Sequence, residues 1–83
     1  MRIKLKLYAL LTDYLPPGSQ NHTTELEVAP DATPHQVIDR FKLPRQMCYL
    51  VLLNGVYLNP EERDRPVFKD GDALAIFPQV AGG

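Results

Sequence analysis

Only one stretch of this chain carries the signature of a main helix, and it is short. In DATPHQVIDRF, residues 31 to 41, Thr33 stands as an N-cap, Pro34 at the first helical position, and Gln36 three residues after Thr33, where it can close a capping box. Val37, Ile38 and Phe41 supply an apolar stripe. Pro44 is expected to stop the helix soon after, leaving about two to three turns. The other apolar segments read as strands, so the fold must cover a sheet with this single helix.

RIKLKLY, residues 2 to 8, alternates strictly: Ile3, Leu5 and Leu7 fall on one face, Arg2, Lys4, Lys6 and Tyr8 on the other. LLTDYLPPGSQN breaks the pattern as a loop with room for one helical turn, and TTELEVA then alternates again with Leu26 and Val28 inward. Antiparallel pairing of these strands sets Glu25 and Glu27 against Arg2, Lys4 and Lys6. The basic stripe therefore reads as a salt-bridged solvent face and not as a phosphate-binding surface. YLVLLNGVYL is two apolar runs split by Asn54-Gly55, a type I′ hairpin signal, with Leu50 to Leu53 apolar on both faces. NPEE, residues 59 to 62, suits an isolated capped turn. KDGD turns the chain into ALAIFPQ, where Leu74 and Ile76 alternate with Ala73, Ala75 and Phe77.

The order strand, strand, helix, strand, short strand, strand is that of the ubiquitin-like β-grasp fold, an α+β arrangement that the order fits without selecting it uniquely. A mixed sheet is crossed by one main helix, and the first and last strands run parallel as neighbours. Residues 1–77 form that domain and residues 78–83 a flexible tail ending in Gly-Gly. At 83 residues the chain is one domain that needs neither disulfide nor metal to fold. A net charge of −1 shows no nucleic-acid footprint. The single cysteine, Cys48, fits a reducing cytoplasm. His22 and His35 lack metal-ligand spacing, no segment approaches the roughly 20 apolar residues of a membrane span, and MRIKLKLYALL reads as mature sequence.

Glycine at both of the last two positions arises by chance in roughly one chain in two hundred at ordinary glycine usage. Pro78 removes a backbone donor, so residues after Phe77 are expected to leave the sheet extended, with a reach on the order of 20 Å. Gly82 and Gly83 would pass a channel too narrow for a Cβ, and Val80 and Ala81 would grip its walls. Tyr8 and Phe77 should meet on the outer face where this tail departs, as a docking patch. A carboxylate is a poor electrophile, so the chemistry it invites is activation on the α-phosphate of ATP. The chain has no phosphate loop of its own, and the nucleotide site would belong to a partner.

LNG after an apolar strand, DGD before the last strand, and the ending FPQVAGG resemble the MoaD/ThiS family of ubiquitin-like sulfur carriers. The resemblance implies that a ubiquitin-activating-type enzyme adenylates Gly83 with ATP, that Gly83 then becomes a thiocarboxylate, and that Gly82 permits threading. Tyr8, Phe77, Pro78, Val80 and Ala81 would meet the partner. The chain would bind no cofactor or metal, touch neither nucleic acid nor membrane, and be no enzyme alone. The FP-x-VAGG ending is most similar to the small subunit of molybdopterin synthase, whose large subunit then becomes the acceptor partner in molybdenum cofactor biosynthesis. Gln79 replaces a usual proline there, and KLPRQMCYLVLLNG is more like the thiamine-pathway carriers. Carriers for tRNA thiolation or protein tagging share the tail.

A second class is a non-catalytic β-grasp interaction module that binds through Tyr8, Phe77 and the Leu50 to Leu53 hairpin. Against a stand-alone enzyme, Cys48 reads as a buried small hydrophobe entering a strand. Glu61, Glu62 and Asp64 read as a solvated capping turn, and His35 as a first-turn helix residue.

Overall fold

A computed structural model describes residues 1–79 and gives the chain five strands and one α-helix. The strands are β1 (Arg2–Leu7), β2 (Thr23–Glu27), β3 (Leu50–Leu53), β4 (Val56–Tyr57) and β5 (Ala73–Phe77), with α1 (Pro34–Arg40) between β2 and β3. Sheet order is β2-β1-β5-β3-β4. β1 and β5 run parallel, and the other pairs are antiparallel. This is the β-grasp arrangement that the order of sequence patterns fits.

Alternation decides the core. Leu5 and Leu7 of β1 lie opposite Leu74 and Ile76 of β5, Ile3 lies opposite Leu26 of β2, and Ile3, Leu5, Leu7, Leu74 and Ile76 are fully buried. Val37 and Ile38 of α1, Val51 of β3, Leu26 of β2 and Leu11 join them. Each such side chain contributes about 1.5–3 kcal/mol of apolar burial. α1 begins as its sequence dictates: Thr33 accepts from the Gln36 backbone N–H, and the Gln36 side chain accepts from the Thr33 N–H. It ends earlier than Pro44 requires. Lys42 takes a left-handed conformation at φ 60 and turns the chain before the proline is reached, and Phe41 is only half-buried.

Two turns set the register of the central strands. The Arg2 N–H donates to Asp70 Oδ1 at 2.7 Å, the Gly71 N–H donates to Arg2 O at 2.8 Å, and the Lys4 N–H donates to Asp72 O at 2.9 Å. The turn before β5 is thereby bonded to the start of β1, which is what lets two strands from opposite ends of the chain run parallel. At the hairpin between β3 and β4, Asn54 and Gly55 adopt φ 50 and 84, the two positive angles of the I′ turn.

Several local expectations need correction. Tyr8 follows β1 instead of ending it, and opens the 3₁₀ turn Ala9–Tyr14. Val28 lies beyond β2 and is half-buried. Cys48 is buried as expected, but it caps the 3₁₀ turn Arg45–Met47 ahead of β3. The Leu50 to Leu53 run is apolar on both faces as read, and its faces differ in burial: Val51 is in the core, while Leu50 is 40% exposed on the outer face. In the 3₁₀ turn Pro60–Asp64, Glu62 closes a capping box with Asn59 as the sequence suggests. Asp64 instead reaches across to α1 and meets His35 Nδ1 at 2.6 Å, and Arg63 between them is buried. The salt-bridged stripe holds only at Arg2, which meets Glu27 at 3.3 Å. Lys4 and Lys6 form no ion pair among the described residues.

Candidate functional site

The outer face of the sheet divides in two. One row across it reads Thr23, Lys6, Ala75, Leu52 and Tyr57, from β2 to β4. Charged and polar side chains lie over β2 and β1, and apolar ones over β5, β3 and β4. At the boundary, where β1 and β5 both finish, Tyr8 stacks on Phe77 with ring centroids 4.3 Å apart and planes 5° from parallel. Parallel pairing brings these two residues together, since Leu7 and Ile76 are register partners one position earlier. The Tyr8 N–H donates to Ile76 O at 3.3 Å, and the Tyr49 N–H to Phe77 O at 3.0 Å, so the strand end is bonded on both sides. Pro78 follows with no N–H to give, and the ladder stops.

A third ring joins the stack. His22 lies against the other face of Tyr8, centroids 5.0 Å apart. It occupies the turn Gln20–Thr23, in which the Thr23 N–H donates to Gln20 O at 3.0 Å and both Asn21 and His22 have positive φ, 54 and 60. Glycine is the usual residue at the second of these positions. Histidine there costs on the order of 1 kcal/mol of backbone strain, which the ring contact with Tyr8 and the Leu7 N–H to His22 O bond of 2.9 Å help to offset. Sequence reasoning missed His22 because SQNH contains no glycine to announce an I′ turn.

Of the residues singled out in the sequence, Tyr8, Phe77 and Pro78 stand together at this strand end. Val80, Ala81, Gly82 and Gly83 lie outside the described residues. Leu50 pairs with Phe77 and Leu52 with Ala75 on the same face, extending an apolar surface from the stack toward Tyr57. Among the described residues no three His, Cys, Asp or Glu side chains group as a metal site would need, and no helix is long and apolar enough to cross a membrane. Burial pushes the Cys48 thiol above its ordinary value, the opposite of what an activated nucleophile needs.

The model of the ThiS family matches residues 15–83. The crystal structure of SAMP1 from Haloferax volcanii is similar over the full length of both chains, with 27% identity and a TM-score of 0.69. A ubiquitin-like protein from the hyperthermophilic archaea Caldiarchaeum subterraneum is 28% identical over 99% of this chain and 100% of its own, with a TM-score of 0.48. No curated protein matches the chain in sequence.

Proposed function

The chain belongs to the ThiS family, and from that premise we propose that it carries sulfur as a thiocarboxylate on the carboxyl of Gly83. A ubiquitin-activating-type partner would bind ATP and let the Gly83 carboxylate attack the α-phosphate, releasing pyrophosphate. A sulfur nucleophile then displaces AMP from the acyl carbon. The chain supplies no phosphate loop and acts as a carrier, not as an enzyme by itself. Its own residues present the tail: β1 and β5 fix the point of departure, Pro78 ends the ladder, and Tyr8 with Phe77 offers a flat aromatic surface beside it. Val80 and Ala81 engage the walls of the partner's channel, and Gly82 lets the backbone through.

The observation that carries this reading is a Val-Ala-Gly-Gly ending two residues beyond the stacked end of β5 in a chain of this family. As acceptor we favour a pterin precursor held by a molybdopterin synthase large subunit, because FPQVAGG resembles that small subunit in its ending. The seven-residue α1 followed by KLPRQMCYLVLLNG favours a second acceptor, the thiazole of thiamine.

Incubation with an activating enzyme, ATP and a sulfur source should replace one oxygen of the chain by sulfur in its intact mass. Deletion of Gly83 should abolish that shift while leaving the unfolding temperature unchanged. A competent enzyme that produces no shift overturns the reading. Pterin sulfuration on addition of a large subunit supports the first acceptor, and sulfur transfer only to thiazole synthesis supports the second.

A further inference from the structure

A groove lies over the outer face of β1 and β2, beneath the loop 16–21. It has a volume of about 680 Å³, and its lining includes Lys4, Lys6, Glu25, Ser19, Gln20 and Asn21. In the β1–β2 register Lys4 faces Glu25 and Lys6 faces Thr23, so two cations share the groove with one carboxylate. Neither ammonium forms an ion pair among the described residues. The wall is bonded internally: the Ser19 N–H and hydroxyl both donate to Pro16 O, at 3.2 and 2.7 Å, and Thr23 closes the next turn onto Gln20. It is held in place before any ligand arrives. His22, the ring stacked on Tyr8, does not line the groove but lies between the lining residues Asn21 and Thr23, so the groove adjoins the Phe77 strand end through that turn.

We propose that this groove docks an acidic polypeptide segment of the protein that receives the tail, with carboxylates of that segment resting on Lys4 and Lys6. The identity of the partner rests on the carrier reading given above; the chemistry of the groove does not. Charge complementarity selects the occupant, because two cations with no ion pair among the described residues, beside the Gln20 and Asn21 carboxamides, suit a peptide bearing a few carboxylates. A nucleic acid, with one phosphate every few ångströms, would need a longer run of cations and no glutamate among them. The division of the outer face gives the rest of the geometry: the partner's apolar surface meets Leu50, Leu52 and Phe77 while its acidic segment lies alongside, on the lysines.

The test uses the full 83-residue chain labelled with ¹⁵N and titrated with a hexaglutamate peptide at low ionic strength. The amides of Lys4, Lys6 and residues 19 to 21 should shift saturably, and added salt should reverse the shifts. The doubly substituted Lys4→Glu, Lys6→Glu chain, checked for folding by its amide spectrum, should bind about tenfold or more weakly, and Arg45→Glu should bind as the parent does. Shifts spread equally over Arg2, Arg40, Arg45 and Lys69, no saturable binding, or stronger binding of inorganic phosphate or an oligodeoxynucleotide would each overturn the proposal. Because this readout involves no tail chemistry, thiocarboxylate formation without groove binding rejects only the groove, and groove binding without thiocarboxylate rejects only the carrier reading.

Discussion

Asn54 and Asp72, in two turns that meet at the same end of the antiparallel β3–β5 pairing, are joined side chain to side chain: Asn54 Nδ2 donates to Asp72 Oδ1 at 2.9 Å. The Ala73 N–H donates to Asn54 Oδ1 at 2.9 Å, and the Lys69 N–H to Asp72 Oδ2 at 2.7 Å. Asp72 is buried. The LNG and DGD motifs of the sequence are thus two halves of one hydrogen-bonded unit that locks β5 between its neighbours.

Asn54→Ala or Asp72→Ala should each destabilise the chain by about 1–3 kcal/mol, because either leaves hydrogen-bonding groups without partners. The double variant should cost less than the sum, since the shared bond is lost only once. Urea unfolding of the three variants checks this, and simple additivity would show that the two turns are independent.

Arg63 is 7% exposed. Its guanidinium donates to Leu58 O at 3.1 Å, to Cys48 O at 3.3 Å and to the Tyr57 hydroxyl at 3.3 Å. Arg63→Met fills a similar volume but strips two carbonyls of their donors, for an expected loss of roughly 2–4 kcal/mol. Arg63→Lys cannot span three acceptors and should recover only part of it. Thermal unfolding separates these outcomes.

Truncating either ring of the stack tests its role in docking. Tyr8→Ala or Phe77→Ala should lower stability by about 0.5–1.5 kcal/mol for the lost aromatic pairing, in addition to the apolar area each half-buried ring gives up. Each should raise the KM for the activating partner severalfold with kcat nearly unchanged. A kcat loss with constant KM would place the rings in the chemistry instead.

Lys42 is an exposed residue at φ 60 just past the end of α1. Lys42→Gly relieves that left-handed strain and should raise stability by about 0.5–1 kcal/mol. A higher unfolding midpoint in urea, with an unchanged slope, is the expected result.

Burial raises the pKa of Cys48 from its ordinary value near 9.0; the Arg63 cation opposes the shift, and Asp39 adds to it. Because the folded pKa lies above the unfolded one, the stabilising contribution is complete below the unfolded value and is lost as pH rises through the folded one. The parent chain should therefore lose stability above about pH 9 more steeply than Cys48→Ala, whose neutral-pH stability is lower for want of the packed sulfur. At pH 7.5 iodoacetamide should label the native thiol far more slowly than the urea-unfolded one.

Alternation, capping and turn chemistry act between near neighbours, and so the strand faces, the Thr33–Gln36 box and the Asn54-Gly55 hairpin could be read from the residues alone. The element order then limited the topology to a sheet crossed by one helix. The contacts that needed the folded chain are those between residues distant in sequence. Phe77 reaches Tyr8 because the turn before β5 is bonded to Arg2. His22 joins them from a turn with no glycine, and Asp64 leaves its own turn to meet His35. Whether Lys4 and Lys6 are paired also depended on folding, since register places carboxylates opposite them but side-chain geometry decides which pairs close. Local rules fix where each side chain points; only the long-range pairing of β1 with β5 decides what it meets there.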